Sequence, residues 1–115
     1  MAGDETNWTE YTKQAQALVA EMVKGDFKAA TSHFDKVMTE AMPADKLGEA
    51  WGTVVNQVGG FKQVAGTRTE KVEIYPIIPV TCRFEDAAID IKVVFDPRTN
   101  QVTGLSFVPA PTEAR

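Results

Sequence analysis

The 115-residue chain holds one cysteine, Cys82, and one histidine, His33. A single thiol rules out an internal disulfide and a cysteine-based zinc cluster. A single histidine leaves any serine triad one choice of base, and no motif orients the adjacent Ser32 or the distant Ser106 toward it. His33 and Asp35 stand two residues apart, a spacing that does not share a helical face. Basic residues are scarce and scattered: 12 Lys and Arg against 16 Asp and Glu give a net charge of −4. Without a positive stripe to displace counterions from phosphates, nucleic acid is excluded as a partner. The acidic balance implies solubility and self-repulsion instead. No apolar run approaches the ~20 residues that cross a bilayer, so no membrane span is expected. Residues 1–7 are polar and unlike a signal peptide. A leader removed ahead of Met1-Ala2-Gly3 would leave the same start, so the compartment stays open. Gly59-Gly60 and Gly66 follow a helical pattern instead of opening one, which is the wrong order for a phosphate loop. Calcium-loop spacing is missing as well, and no cofactor or metal is expected.

What is present is ordinary for a globular chain. The composition is 43% hydrophobic and 24% charged, enough apolar material for one core. The expectation is a single domain over 1–115, with its core over about 8–109 and loose ends at 1–7 and 110–115.

Three segments carry helical periodicity. Trp8, Tyr11, Ala15, Leu18, Val19 and Met22 form a stripe over Trp8 to Lys24, with Asn7 or Thr9 as cap and Gly25-Asp26 as stop. Asp26 opens a second segment that runs to Met42. Its polar Thr31-Ser32-His33 centre predicts two short helices around a bend. The third runs from Pro43 through Leu47, Trp51 and Val54 to Val58, ended by Gly59-Gly60.

After Gly60 the period changes to two. Phe61 to Glu73 reads as one long, partly exposed strand. Tyr75 to Glu85 alternates, with Ile78, Val80, Cys82 and Phe84 on one side. Asp86-Ala87 reads as a tight hairpin, and Ala88 to Asp96 alternates again, with Ile89, Ile91, Val93 and Phe95 opposite Asp90, Lys92 and Val94. The turn-forming run Asp96 to Asn100 precedes a last strand, Val102 to Val108, with Leu105 and Phe107 inward. Pro76 and Pro79 cannot donate to a ladder, which predicts an edge, a bulge or an irregularity at the start of the second strand. Helices followed by hairpin-linked strands define an α+β fold, with amino-terminal helices packed on an antiparallel four-stranded sheet.

The runs Gly25-Asp26-Phe27, Phe34-Asp35, Trp51…Gly59-Gly60-Phe61, Val80-Thr81-Cys82-Arg83-Phe84-Glu85 and Phe95-Asp96…Gly104-Leu105…Phe107…Pro109 resemble a bacterial family known as domain of unknown function 3887. The resemblance covers about residues 15–109 and rests on core and turn positions. That family looks like a branch of the cone-shaped superfamily of nuclear transport factor two, cystatin-like in outline. The resemblance therefore implies a curled sheet wrapped around helices. It also implies a non-catalytic accessory or interaction module, of the kind found alone or ahead of a bacterial α/β-hydrolase. No Gly-x-Ser-x-Gly elbow occurs here to make this chain the hydrolase itself.

Enzymes of that superfamily use a buried Asp, His or Tyr inside the cone, tuned by an apolar pocket. The inward positions here carry no such group, so an isomerase or hydrolase would need Asp35, Tyr75 or His33 brought in by a bend. Cys82, between Val80 and Phe84, reads as a small core hydrophobe. Phe34, Trp51 and Phe107 are the candidates for lining a cavity between helices and sheet, where a small apolar ligand would sit. Ile77, Val94, Val102 and Val108 are assigned to the outer sheet face, the candidate surface for homodimerisation or for docking a second domain.

Overall fold

The computed structural model describes residues 7–110. Helix α1 (Trp8–Lys24) is capped by Asn7, whose side-chain oxygen accepts the Glu10 N–H at 3.3 Å. Gly25, at φ 82°, closes it. The bend expected in the second segment separates α2 (Phe27–Thr31) from α3 (Lys36–Ala41). Each short helix has its own aspartate cap, Asp26 on the Ala29 N–H at 3.2 Å and Asp35 on the Met38 N–H at 2.8 Å. Helix α4 (Ala44–Val58) follows Pro43. The ends expected to be loose lie outside the described residues, except that Asn7 is held in the α1 cap and Ala110 donates to the Ala88 carbonyl at 3.0 Å.

Five strands follow where four were expected: β1 (Phe61–Thr67), β2 (Glu70–Val72), β3 (Tyr75–Phe84), β4 (Ala88–Asp96) and β5 (Gln101–Pro109). They form one antiparallel sheet in the order β1-β3-β4-β5, with β2 beside β3 on the β1 side. The prolines account for the extra strand. Pro79 accepts the Arg68 N–H at 3.0 Å but has no N–H to return. The ladder on that side breaks there, and the stretch expected to be one strand divides at Arg68-Thr69. Pro76 precedes the first β3–β4 pair, Ile77 opposite Val94, and so removes nothing from that ladder.

The helices cover one face of the sheet. Helix α1 crosses β3 and β4, α3 lies against β5, and α4 packs on α2. Leu18, Met22, Ile78, Ile91 and Phe95 are fully buried between the layers, each worth roughly 1.5–3 kcal/mol of transfer free energy. The Tyr11 and Phe95 ring centroids lie 4.7 Å apart. The sheet is not strongly curled, contrary to the expected wrapping. Bulges introduce curvature; here the register shifts lie in the outer β1–β3 and β4–β5 ladders, while the central β3–β4 ladder pairs without interruption from Ile77–Val94 to Arg83–Ala88.

One face assignment is corrected. Val102 was expected on the outer face with Ile77, Val94 and Val108, but it is fully buried in the core. A register shift between Val94 and Phe95 leaves Thr103 as an extra residue: Val94 faces Gly104 and Phe95 faces Val102. Strict alternation from Leu105 therefore reaches the wrong side at Val102. The same valine exchanges backbone hydrogen bonds with the α2–α3 connection, donating to the His33 carbonyl and accepting from the Asp35 N–H, both at 2.8 Å.

The junction after α4 is glycine-dependent. Gly59 adopts φ 86°, ψ −174°, a region open essentially to glycine alone. A Cβ there would meet Glu85 Cβ at 2.6 Å. The approach is this close because the β3–β4 hairpin is pinned to the end of α4. The Asp86 N–H donates to the Val58 carbonyl at 2.8 Å, and the Gly60 N–H donates to Glu85 Oε1 at 3.1 Å. Gly59→Ala is expected to cost about 1–3 kcal/mol from backbone conformation alone, with a further loss from the displaced hairpin. Urea unfolding of wild type and variant measures it.

Candidate functional site

The residues proposed for chemistry are not brought together. His33 Nε2 lies 3.0 Å from Glu21 Oε1 in a half-buried pair that ties the α2–α3 connection to α1. Asp35 is occupied in capping α3. Cys82 is fully buried, with its Sγ 3.7 Å from the Val80 carbonyl. Burial pushes its thiol up to about 12, and nearby Asp90 adds to the shift. A thiol so raised stays protonated at neutral pH, and the protonated form is not the nucleophile. Among the described residues no three His, Cys, Asp or Glu side chains group as a metal site.

The cavity candidates occupy different places. The Trp51 ring packs on Phe84 at 5.6 Å and on Phe61 at 6.4 Å, and those two rings meet edge-on at 5.7 Å. This aromatic trio joins α4 to β1 and β3. Phe34 is buried where the α2–α3 connection meets β5, and Phe107 is half-buried on β5.

The outer sheet face holds the most organised polar group. Thr81 and Asp90 are directly opposed across β3 and β4. The Thr81 hydroxyl donates to Asp90 Oδ1 at 2.6 Å, and Arg68, on the crossing between β1 and β2, donates to Asp90 Oδ2 at 2.7 Å and to Thr81 at 3.1 Å. Arg68 and Lys92 both reach Glu70 at 3.8 Å. Asp90 is only 1% exposed. Its burial opposes ionisation, but the bonds from Arg68 and Thr81 and the charges of Arg68 and Lys92 outweigh it, holding the carboxyl below the usual range. Alternation places Asp90 outward but cannot show that it is covered. The readable signal was the outward position of both Thr81 and Asp90 on hairpin-linked strands; the arginine that covers Asp90 was not readable. Ile77, Val94 and Val108 are half-buried on this face beside the polar group.

Two surface hollows border α1. An apolar groove of about 340 Å³ lies between α1 and β1, floored by Val19, Ala20, Val23, Phe61 and Val64 with Gln16 and Lys24 at its rim. A polar hollow of about 170 Å³ lies beside Tyr11. The Tyr11 hydroxyl donates to Asn100 Oδ1 at 2.6 Å, and burial together with Asp96 raises its pKa.

Two predictions follow from these environments. Asp90→Asn should lower stability at pH 7 by about 1–3 kcal/mol, because Arg68 loses its charged partner. A depressed native pKa stabilises above the ordinary carboxylate pKa of about 4 and is lost as pH falls through the native value. The difference between wild type and variant should therefore shrink below about pH 4, as read from urea midpoints against pH. Second, Cys82 should resist a disulfide-exchange reagent at pH 8 in folded protein and react once the chain is unfolded in guanidinium.

No curated protein and no solved structure matches the chain. No helix among the described residues is long and apolar enough to cross a membrane. A family model does match, over residues 15–105, that of a protein of unknown function designated DUF3887; since this spans most of the chain and takes in the α1 core stripe from Ala15 onward and the whole β3–β4 ladder, the chain belongs to that family.

Proposed function

We propose that this domain is a non-catalytic interaction module, the flatter counterpart of the cone-shaped domains related to nuclear transport factor two. The observation that carries the reading is the inner sheet face. Ile78, Val80, Cys82, Ile91, Val93 and Phe95 are apolar and fully buried beneath the helices, so this face offers no tuned acid or base to a substrate. Function then falls to the surface. Ile77, Val94 and Val108, beside the Arg68–Asp90 pair, form a mixed face of the kind that docks a second domain, such as the α/β-hydrolase that the family resemblance implies.

The α1–β1 groove supports a second reading, the binding of a small apolar ligand. Its volume of about 340 Å³ stands at the lower end of ligand sites. In this reading Val23→Asp would abolish the binding of an environment-sensitive apolar dye.

The test of the main reading is turnover of activated esters and thioesters by wild type and His33→Gln. The expected result is background hydrolysis, identical in both proteins. Saturable turnover that disappears in His33→Gln would overturn the module reading.

A further inference from the structure

The two edges of the sheet differ. On the β1 side, register shifts leave Lys62 and Ala65 as extra residues, and β2 adds Glu70 and Lys71. Bulges and edge charges of this kind block pairing with another chain. The β5 side has neither protection beyond Thr103. Residues 101–110 include no charged side chain, and pairing with β4 is regular from Gly104 to Pro109.

The backbone direction of that edge follows from its two ends. The Ala110 N–H donates to Ala88 on β4, so Ala110 faces β4, and alternation turns Val108 and Ser106 the same way. Leu105, Phe107 and Pro109 then direct their backbone groups away from the sheet. Pro109 has no N–H to lose, which agrees with that assignment. At the other end the outward groups of Val102 are taken by His33 and Asp35, and the extra residue Thr103 accounts for the change of parity. Among the described residues, no strand lies beside β5 from Gly104 to Pro109. Two N–H groups and three carbonyls therefore form an uncharged, unbulged edge, flanked by half-buried Leu105 and Phe107.

We propose that this edge pairs antiparallel with β5 of a second copy, giving a two-fold dimer with one continuous sheet. The edge complements itself. A two-fold axis through Ser106 sets Leu105 opposite Phe107 of the other copy, forming two hydrogen-bonded pairs with an apolar contact on the inner face. It sets Gly104, which carries no side chain, opposite Val108, and the exposed Ser106 opposite itself. Each chain carries a net charge of −4, and this uncharged segment lets two such chains approach without opposing like charges at the contact. The same patch on both subunits closes the assembly at two copies. This inference rests on the interaction-module reading and names its partner.

The test uses the full chain: sedimentation equilibrium from micromolar to near-millimolar concentration, with amide exchange followed residue by residue. Expected are the mass of two chains at high concentration and slow exchange at Leu105 and Phe107 that is lost on dilution, while Ser106 and Val108 stay protected throughout by β4. Ser106→Lys, which sets two lysines face to face on the axis, should leave the folded chain with the mass of one copy, and Ser106→Thr should keep two. If Ser106→Lys does not fold, the exchange pattern of the wild type decides. A one-chain mass at every concentration overturns the proposal, as would be the case for an edge that serves an extended peptide of another protein. A two-chain mass with Leu105 and Phe107 exchanging freely also overturns it and moves the contact to the outer face, leaving the module reading in place. Persistence of the dimer in Ser106→Lys with both amides protected overturns the placement of the axis. Hydrolysis lost in His33→Gln would instead sink the module reading without altering the exchange pattern.

Discussion

The burial of the β3–β4 ladder beneath α1 is the constraint on which the rest of the molecule depends. Ile78, Val80, Ile91, Val93 and Phe95 meet Leu18, Val19 and Met22 with no exposure on either side. An α1 stripe of this width needs a flat, uninterrupted apolar surface, and the unbulged β3–β4 register supplies one. The same requirement displaces irregularity outward. Pro79 faces the break between β1 and β2, Pro76 precedes the first β3–β4 pair, and the register shifts fall in β1 and β5.

That displacement shapes the periphery. Where β1 and β2 separate, the backbone has lost a rung, and the Arg68–Asp90–Thr81 group holds the two pieces onto β3 and β4. Asp90 is covered by the arginine that neutralises it, an arrangement stable only while both partners remain. At the opposite edge the extra residue at Thr103 turns Val102 into the core, and Val102 in turn anchors the α2–α3 connection through His33 and Asp35. His33 is held from its ring as well, by Glu21 on α1. The only histidine thus serves as a joint between helices and sheet.

With the inner face of β3 and β4 buried beneath the helices, the edges and the outer face are what the sheet presents. The β1 side carries charge and bulges beside an apolar groove, and the β5 side carries a bare run of backbone with apolar flanks. On such an edge, backbone groups are free to pair and the flanking side chains set the register of any pairing.

The helices, the caps at Asn7 and Asp26 and the inward faces of β3 and β4 were legible from the sequence, because local periodicity and side-chain chemistry determine them. Asn7 and Asp26 cap through contacts three residues away, and Ile78 to Phe84 alternate whatever lies opposite; Asp35, read only as a candidate for chemistry, is a third cap of the same kind. Family membership was legible for the same reason, since it rests on core and turn positions. Three things were decided only by the tertiary structure. The division of the first strand at Arg68-Thr69 depends on Pro79, a residue of its partner strand. The inward turn of Val102 depends on one extra residue in the β4–β5 register. The cover over Asp90 depends on an arginine 22 residues away in the chain. Each is a relation between strands, and alternation within one strand carries no information about register against its neighbour.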